Sequence, residues 1–133
     1  MQKNYLLLLR LVLGLVSLHS LLLGSLMIIF APYFVHLMGF SESQELFFPH
    51  QSGVFLIILG IGYGLGAKDP IENKGLVLLT IISKGAAIIF LYYYAFGQHA
   101  GIMVLLAGIG DTIMGIAVSV LAWNTYYNAI DTT

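Results

Sequence analysis

The sequence predicts an all-α fold, an antiparallel four-helix transmembrane bundle, on three observations. The chain has 133 residues, of which 59% are hydrophobic and only 8% charged. Soluble domains carry about 25% charged residues, so a chain this poor in charge cannot cover a globular surface with them, and lipid is its expected solvent. Four apolar runs approach or exceed the ~20 residues that an α-helix needs to cross the hydrocarbon core. These Leu-, Ile- and Gly-rich runs do not alternate as the strands of a β-barrel would, the other way to satisfy a backbone in lipid. At this length the whole chain, 1–133, reads as one membrane domain.

The first span is expected over about 5–31, "YLLLLRLVLGLVSLHSLLLGSLMIIFA". A charged start before an apolar run also suits a signal peptide, but this run is too long and lacks an A-x-A-like cleavage site, so it reads as a retained span. The second span, about 49–67, opens on Pro49, whose missing N–H costs little in a first helical turn. The third and fourth are expected over about 75–96 and 101–123. "KDPIENK" (68–74) is a polar turn, and "GQHA" (97–100) is short enough to make the third and fourth spans antiparallel neighbours. The long connection at 32–48 mixes aromatic residues with Glu42 and Glu45, and reads as a surface segment with room for a short interfacial helix.

Orientation follows from the lysines. Lys3, Lys68 and Lys74 fall on one side of this arrangement, and the 32–48 and 97–100 connections carry none. The positive-inside rule then places both termini in the cytoplasm and the chain in the cytoplasmic (inner) membrane. Tyr92, Tyr93 and Tyr94 fall near the outer interface, and Tyr5, Trp123, Tyr126 and Tyr127 near the inner one, as headgroup-level rings do.

Lys84, in "IISKGAAIIF", interrupts an otherwise apolar span. At 1.5 Å per residue it lies about 14 Å from the start of its helix. Asp111 lies about 15 Å into the returning helix, close to the midplane of a core of about 30 Å. A lone charge there costs at least ~2.5–3.5 kcal/mol on insertion scales. Pairing Lys84 with Asp111 offsets that cost and selects the faces on which the two helices meet. Such a pair serves either as a register device or as a ligand anchor or proton relay. Arg10 either snorkels to headgroups from near its helix end or joins the pair as a triad. At 100° per residue, Arg10, Gly14, Ser17, Ser20 and Gly24 form one small, polar stripe expected to face the bundle. Gly60 with Gly64, and Ala107 with Asp111 and Gly115, repeat at the spacing that lets helix backbones approach in lipid.

His19, His36, His50 and His99 all fall on the outer half. His36, His50 and His99 with Glu42 or Glu45 make a candidate metal set, since imidazole with carboxylate suits Zn, Cu or Fe. No H-x-x-x-H motif supports it, and separate interfacial histidines are the alternative. His19 points about 180° from Arg10, toward lipid, a partner helix or a bound cofactor. Only His19 is truly intramembrane, the others lying in or beside the outer connections, so a self-contained bis-histidine haem is not expected. The absence of Cys excludes disulfides and thiol chemistry, and a net charge of -1 gives no case for nucleic acid. No G-x-S-x-G, H-E-x-x-H or phosphate loop occurs. "GIGYGLG" (60–66) lacks the strand–turn–helix setting of a nucleotide site and reads as packing.

The opening "LLRLVLGLVSLHSLLLG" (8–24), with three further spans in a chain of this size, resembles the DoxX-like superfamily of small four-helix membrane proteins. "FFPHQSGVFLIILGIGYGLGAKDP", with the later "ISKG" and "GIGD", looks like its BphX-like branch. Members include subunits associated with thiosulfate–quinone oxidation and eukaryotic assembly factors. The resemblance implies a four-helix bundle with a quinone-linked or accessory role. The leading expectation is a non-catalytic accessory subunit or assembly factor of a larger membrane complex, with other membrane subunits or further copies of itself as partners. A quinone- or lipid-binding redox component with Lys84 and Asp111 in its pocket is the alternative, and a small proton-coupled transporter a third.

Overall fold

The computed structural model describes residues 2–39, 46–98 and 100–127, and among them every regular element is helical. Helix α1 spans Gln2–Ile29, α2 Ala31–Leu37, α3 Phe47–Lys68, α4 Lys74–Tyr92 and α5 Ile102–Tyr127, and a π-helical turn at Tyr93–Gly97 extends α4. Helices α1, α3, α4 with its extension, and α5 are long and apolar enough to cross a membrane.

The boundaries have local causes. Pro32 has no N–H to give to the carbonyl four residues back, and its ring would collide with that carbonyl. Helix α1 therefore stops at Ile29 and the chain restarts as α2, with the proline in the first turn where it is tolerated. The expected first span ran on to residue 31 because Phe30 and Ala31 are as apolar as what precedes them. Between α3 and α4, Asp69 Oδ1 accepts from the backbone N–H of Ile71 at 3.1 Å and of Glu72 at 3.3 Å. This carboxylate-anchored turn is how "KDPIENK" reverses the chain so briefly.

Helix α1 packs most extensively on α3, α4 on α5, and smaller α1–α5 and α3–α4 contacts close the bundle. The α1–α3 contact depends on small residues. A Cβ added to Gly24 would sit 2.6 Å from the Gly53 carbonyl oxygen, and one added to Gly53 would sit 2.7 Å from the Gly24 carbonyl oxygen. Further along, the Ser17 hydroxyl donates to the Gly60 carbonyl at 2.7 Å. Small residues let two backbones approach this closely where no hydrophobic effect drives helices together.

Toward the 68–74 turn lies the main buried cluster, beside an open groove of about 580 Å³ between α4 and α5. Leu9, Leu13, Val16, Tyr63, Val77, Val118 and Ala122 form one buried cluster, and Tyr126 donates to the Pro70 carbonyl at 2.8 Å. Outward faces are apolar as well, with Leu15 at 64% exposure and Ile113 at 65%.

The polar stripe on α1 needs correction. Ser17, Ser20 and Gly24 are buried as expected, but Arg10 is exposed and a Cβ added at Gly14 would meet nothing within 4 Å. The buried face continues toward the N-terminus through Leu13 and Leu9 instead. One residue's rotation places leucines in the core and spares the guanidinium the cost of burial.

Candidate functional site

Lys84 lies on the inward face of α4 at 5% exposure. Its Nζ donates to Asp111 Oδ1 on α5 at 2.5 Å, with the Asp111 side chain 13% exposed. This is the one ion pair among the described residues, and a charge-assisted hydrogen bond of this kind is stronger than a neutral one. Lys84 comes ten residues after Lys74 and Asp111 nine after Ile102, so each is about 14–15 Å along its helix. Gly115, one turn beyond Asp111, packs against the lysine stem, where a Cβ would meet the Lys84 Cβ at 3.4 Å.

Two tyrosine bonds brace the pair. Ser83 Oγ lies 2.8 Å from the Leu79 carbonyl, to which it donates, so the buried Tyr63 is the donor in the 2.6 Å bond between its hydroxyl and Ser83. By the same reasoning Thr112 Oγ1 donates to the Gly108 carbonyl at 2.8 Å, and Tyr92 donates to Thr112 at 3.1 Å. Ser83 and Thr112 are the chain neighbours of Lys84 and Asp111. The bonds thus tie α3 to α4 and α4 to α5 beside the charged residues.

Asp111 also lines a partly open cavity of about 720 Å³ in the half of the bundle nearer α2. Every helix contributes to its wall: His19 from α1, Phe34 from α2, Ser52 from α3, Phe90 from α4 and Asp111 from α5, with Tyr94 from the π-turn. The wall is predominantly apolar. Its size and lining match those of sites for small apolar ligands, about 300–1,000 Å³ with a few placed polar groups. His19 faces this cavity and lies within electrostatic reach of both Lys84 and Asp111.

The sequence-derived candidates thus separate. Lys84 and Asp111 come together, and Arg10 is exposed and outside the pair. His36 and His50 are exposed on α2 and α3, while His99, Glu42 and Glu45 lie outside the described residues. Among the described residues no group of three or more His, Asp or Glu side chains is placed to hold a metal ion.

Sequence reasoning left Tyr63 unassigned, read Tyr92 only as a ring at headgroup level, and did not join His19 to the pair. Counting from the helix ends nearer α2 reveals that link. His19 precedes Ile29 by ten residues and Asp111 follows Ile102 by nine, so the two share a depth. Comparison of the chain with protein-family models, curated proteins and solved structures finds no match in any of the three.

Proposed function

We propose that this chain is a multi-pass protein of the cytoplasmic membrane, built of four antiparallel spans with both termini cytoplasmic. It binds a lipid-soluble molecule with a polar head, of the quinone or lipid class, in the cavity beside Lys84 and Asp111. One observation carries the binding reading: the carboxylate of the buried ion pair forms part of the wall of an apolar cavity of ligand size. A pair serving only to set helix register has no need of such an opening. Ionisable residues at membrane depth mark ligand and ion sites by default. The role that suits this geometry is non-catalytic: an accessory subunit or assembly factor that holds its ligand for a larger membrane complex. The resemblance to DoxX-like proteins and the short turn at 68–74 support that role.

Native mass spectrometry of a mild-detergent extract tests the proposal. The full chain is expected to carry one quinone- or lipid-sized adduct. Ala107→Phe, which places a ring in the cavity wall, should remove the adduct while leaving helical content unchanged. A chain that carries no adduct, or an A107F chain that keeps it, overturns the binding reading.

A further inference from the structure

The polar atoms facing the cavity are not equivalent. Lys84 donates to Asp111 Oδ1, but among the described residues no hydrogen bond falls on Asp111 Oδ2. Nor is Oδ2 a fully buried orphan, for among the described residues only the Ser20 hydroxyl is buried without a partner. The Asp111 side chain is 13% exposed and lines the cavity, which is where the proposal below places this second oxygen. Lys84 itself is not part of the cavity wall. The opening thus meets the carboxylate, an acceptor only, and not the ammonium donors. His19 faces the same cavity at matching depth and makes no hydrogen bond to a described residue. A neutral imidazole offers one donor and one acceptor. Ser52 and Tyr94 also line the cavity, but their places near the start of α3 and in the π-turn set them closer to α2.

On this basis, and resting on the cavity-binding reading above, we infer that the site selects a ligand whose head carries a hydroxyl donor. The hydroxyl donates to Asp111 Oδ2, and His19 supports it as acceptor or donor on its other side. The apolar body of the ligand fills the remainder of the cavity. Phenolic and hydroquinone-type molecules meet this requirement. The oxidised quinone does not, because its carbonyl oxygens only accept and would face the carboxylate with no proton between them. A buried acceptor left unpaired costs its full desolvation, and more when it is charged. Discrimination by the missing donor is therefore large compared with what an apolar pocket achieves through shape.

The test uses two probes with the same ring and chain, 4-decylphenol and its methyl ether, the second of which has a methyl group in place of the hydroxyl donor. Each is titrated against the full-length chain in phosphatidylcholine nanodiscs, with occupancy expressed per mole fraction of probe in the bilayer. The phenol is expected to bind about tenfold or more tighter than the ether. His19→Leu should reduce that ratio, and the double variant Lys84→Met with Asp111→Leu should bring it close to one without creating an orphan charge. If the double variant does not fold, the wild-type ratio and the His19→Leu ratio decide the matter. Equal binding of both probes, displaced by the Ala107→Phe substitution, overturns the hydroxyl requirement and leaves the cavity reading standing. Binding of neither probe overturns both.

Discussion

Lys84 shows how one residue can govern two helices. Its ammonium is tolerable in an apolar interior only because Asp111 meets it at 2.5 Å. Removing either partner leaves the other charged and uncompensated, which for buried pairs costs typically about 3–5 kcal/mol. Lys84→Met or Asp111→Asn alone is therefore expected to reduce the folded fraction sharply, measured as monodisperse yield by fluorescence-detected size exclusion. The double substitution should recover much of the loss. Simply additive losses would mean that the two side chains are energetically independent. The pair itself was legible in the sequence because a charge stands out in an apolar run and depth can be counted at 1.5 Å per residue. His19 was less legible. Its rotation about α1 says which way it leaves the helix, and only the packing of α1 against α3 and α5 says what lies there. Arg10 was misplaced on the bundle face because the stripe was drawn through residues that are small or polar, while leucines filled the core at that level.

At the scale of elements, α1 and α3 are joined where Gly24 faces Gly53. The atom nearest a Cβ at either position is the other helix's backbone carbonyl oxygen, which cannot swing aside. Gly24→Val is accordingly expected to destabilise the bundle by about 1–3 kcal/mol, as overpacking does. Gly14→Ala is the control. Nothing lies within 4 Å of that site, and it is in the interior of a 28-residue helix. There alanine should raise stability by about 0.5–1 kcal/mol. Thermal unfolding of the purified variants in one detergent separates the two, and equal shifts would show that the close approach carries no energy. The small-residue spacing on each helix was readable in the sequence, but the partner was not, since spacing says that something approaches and not what. The π-turn at Tyr93–Gly97 escaped the sequence for a similar reason. One extra residue in a turn leaves no mark on hydropathy, yet it shifts the side-chain phase. Within the turn Tyr94 lines the cavity and Tyr93 points outward at 59% exposure, while Tyr92, the last residue of α4, reaches Thr112.

At the scale of the whole molecule, the buried cluster and the cavity that Asp111 lines lie toward opposite ends of the bundle. The cluster around Leu13 and Val118 lies toward the 68–74 turn, the cavity lies toward α2, and Asp111 stands at the cavity wall. Four long apolar helices were legible because composition and run length report the solvent directly. The cavity was not, because its volume depends on which side chains fail to meet, and no periodicity records that. The asymmetry bears on orientation. Lys68 and Lys74 sit at the end of the buried cluster, with the Lys74 ammonium 5.4 Å from the Tyr126 ring centroid. Gln98, at the other end, is exposed, and no Lys or Arg stands immediately beside it in sequence. On the proposed orientation, with these lysines cytoplasmic, the cavity lies toward the outer leaflet. The chain has no native cysteine, so single cysteines report the arrangement directly. In intact cells an impermeant thiol reagent is expected to label Gln98→Cys and to spare Glu72→Cys, although both positions are exposed. Disruption of the membrane should then make Glu72→Cys reactive. Labelling of Glu72→Cys alone in intact cells would invert the protein and turn the cavity toward the inner leaflet. Labelling of both in intact cells would mean that residues 74–97 do not cross the bilayer, and the four-span arrangement would fall.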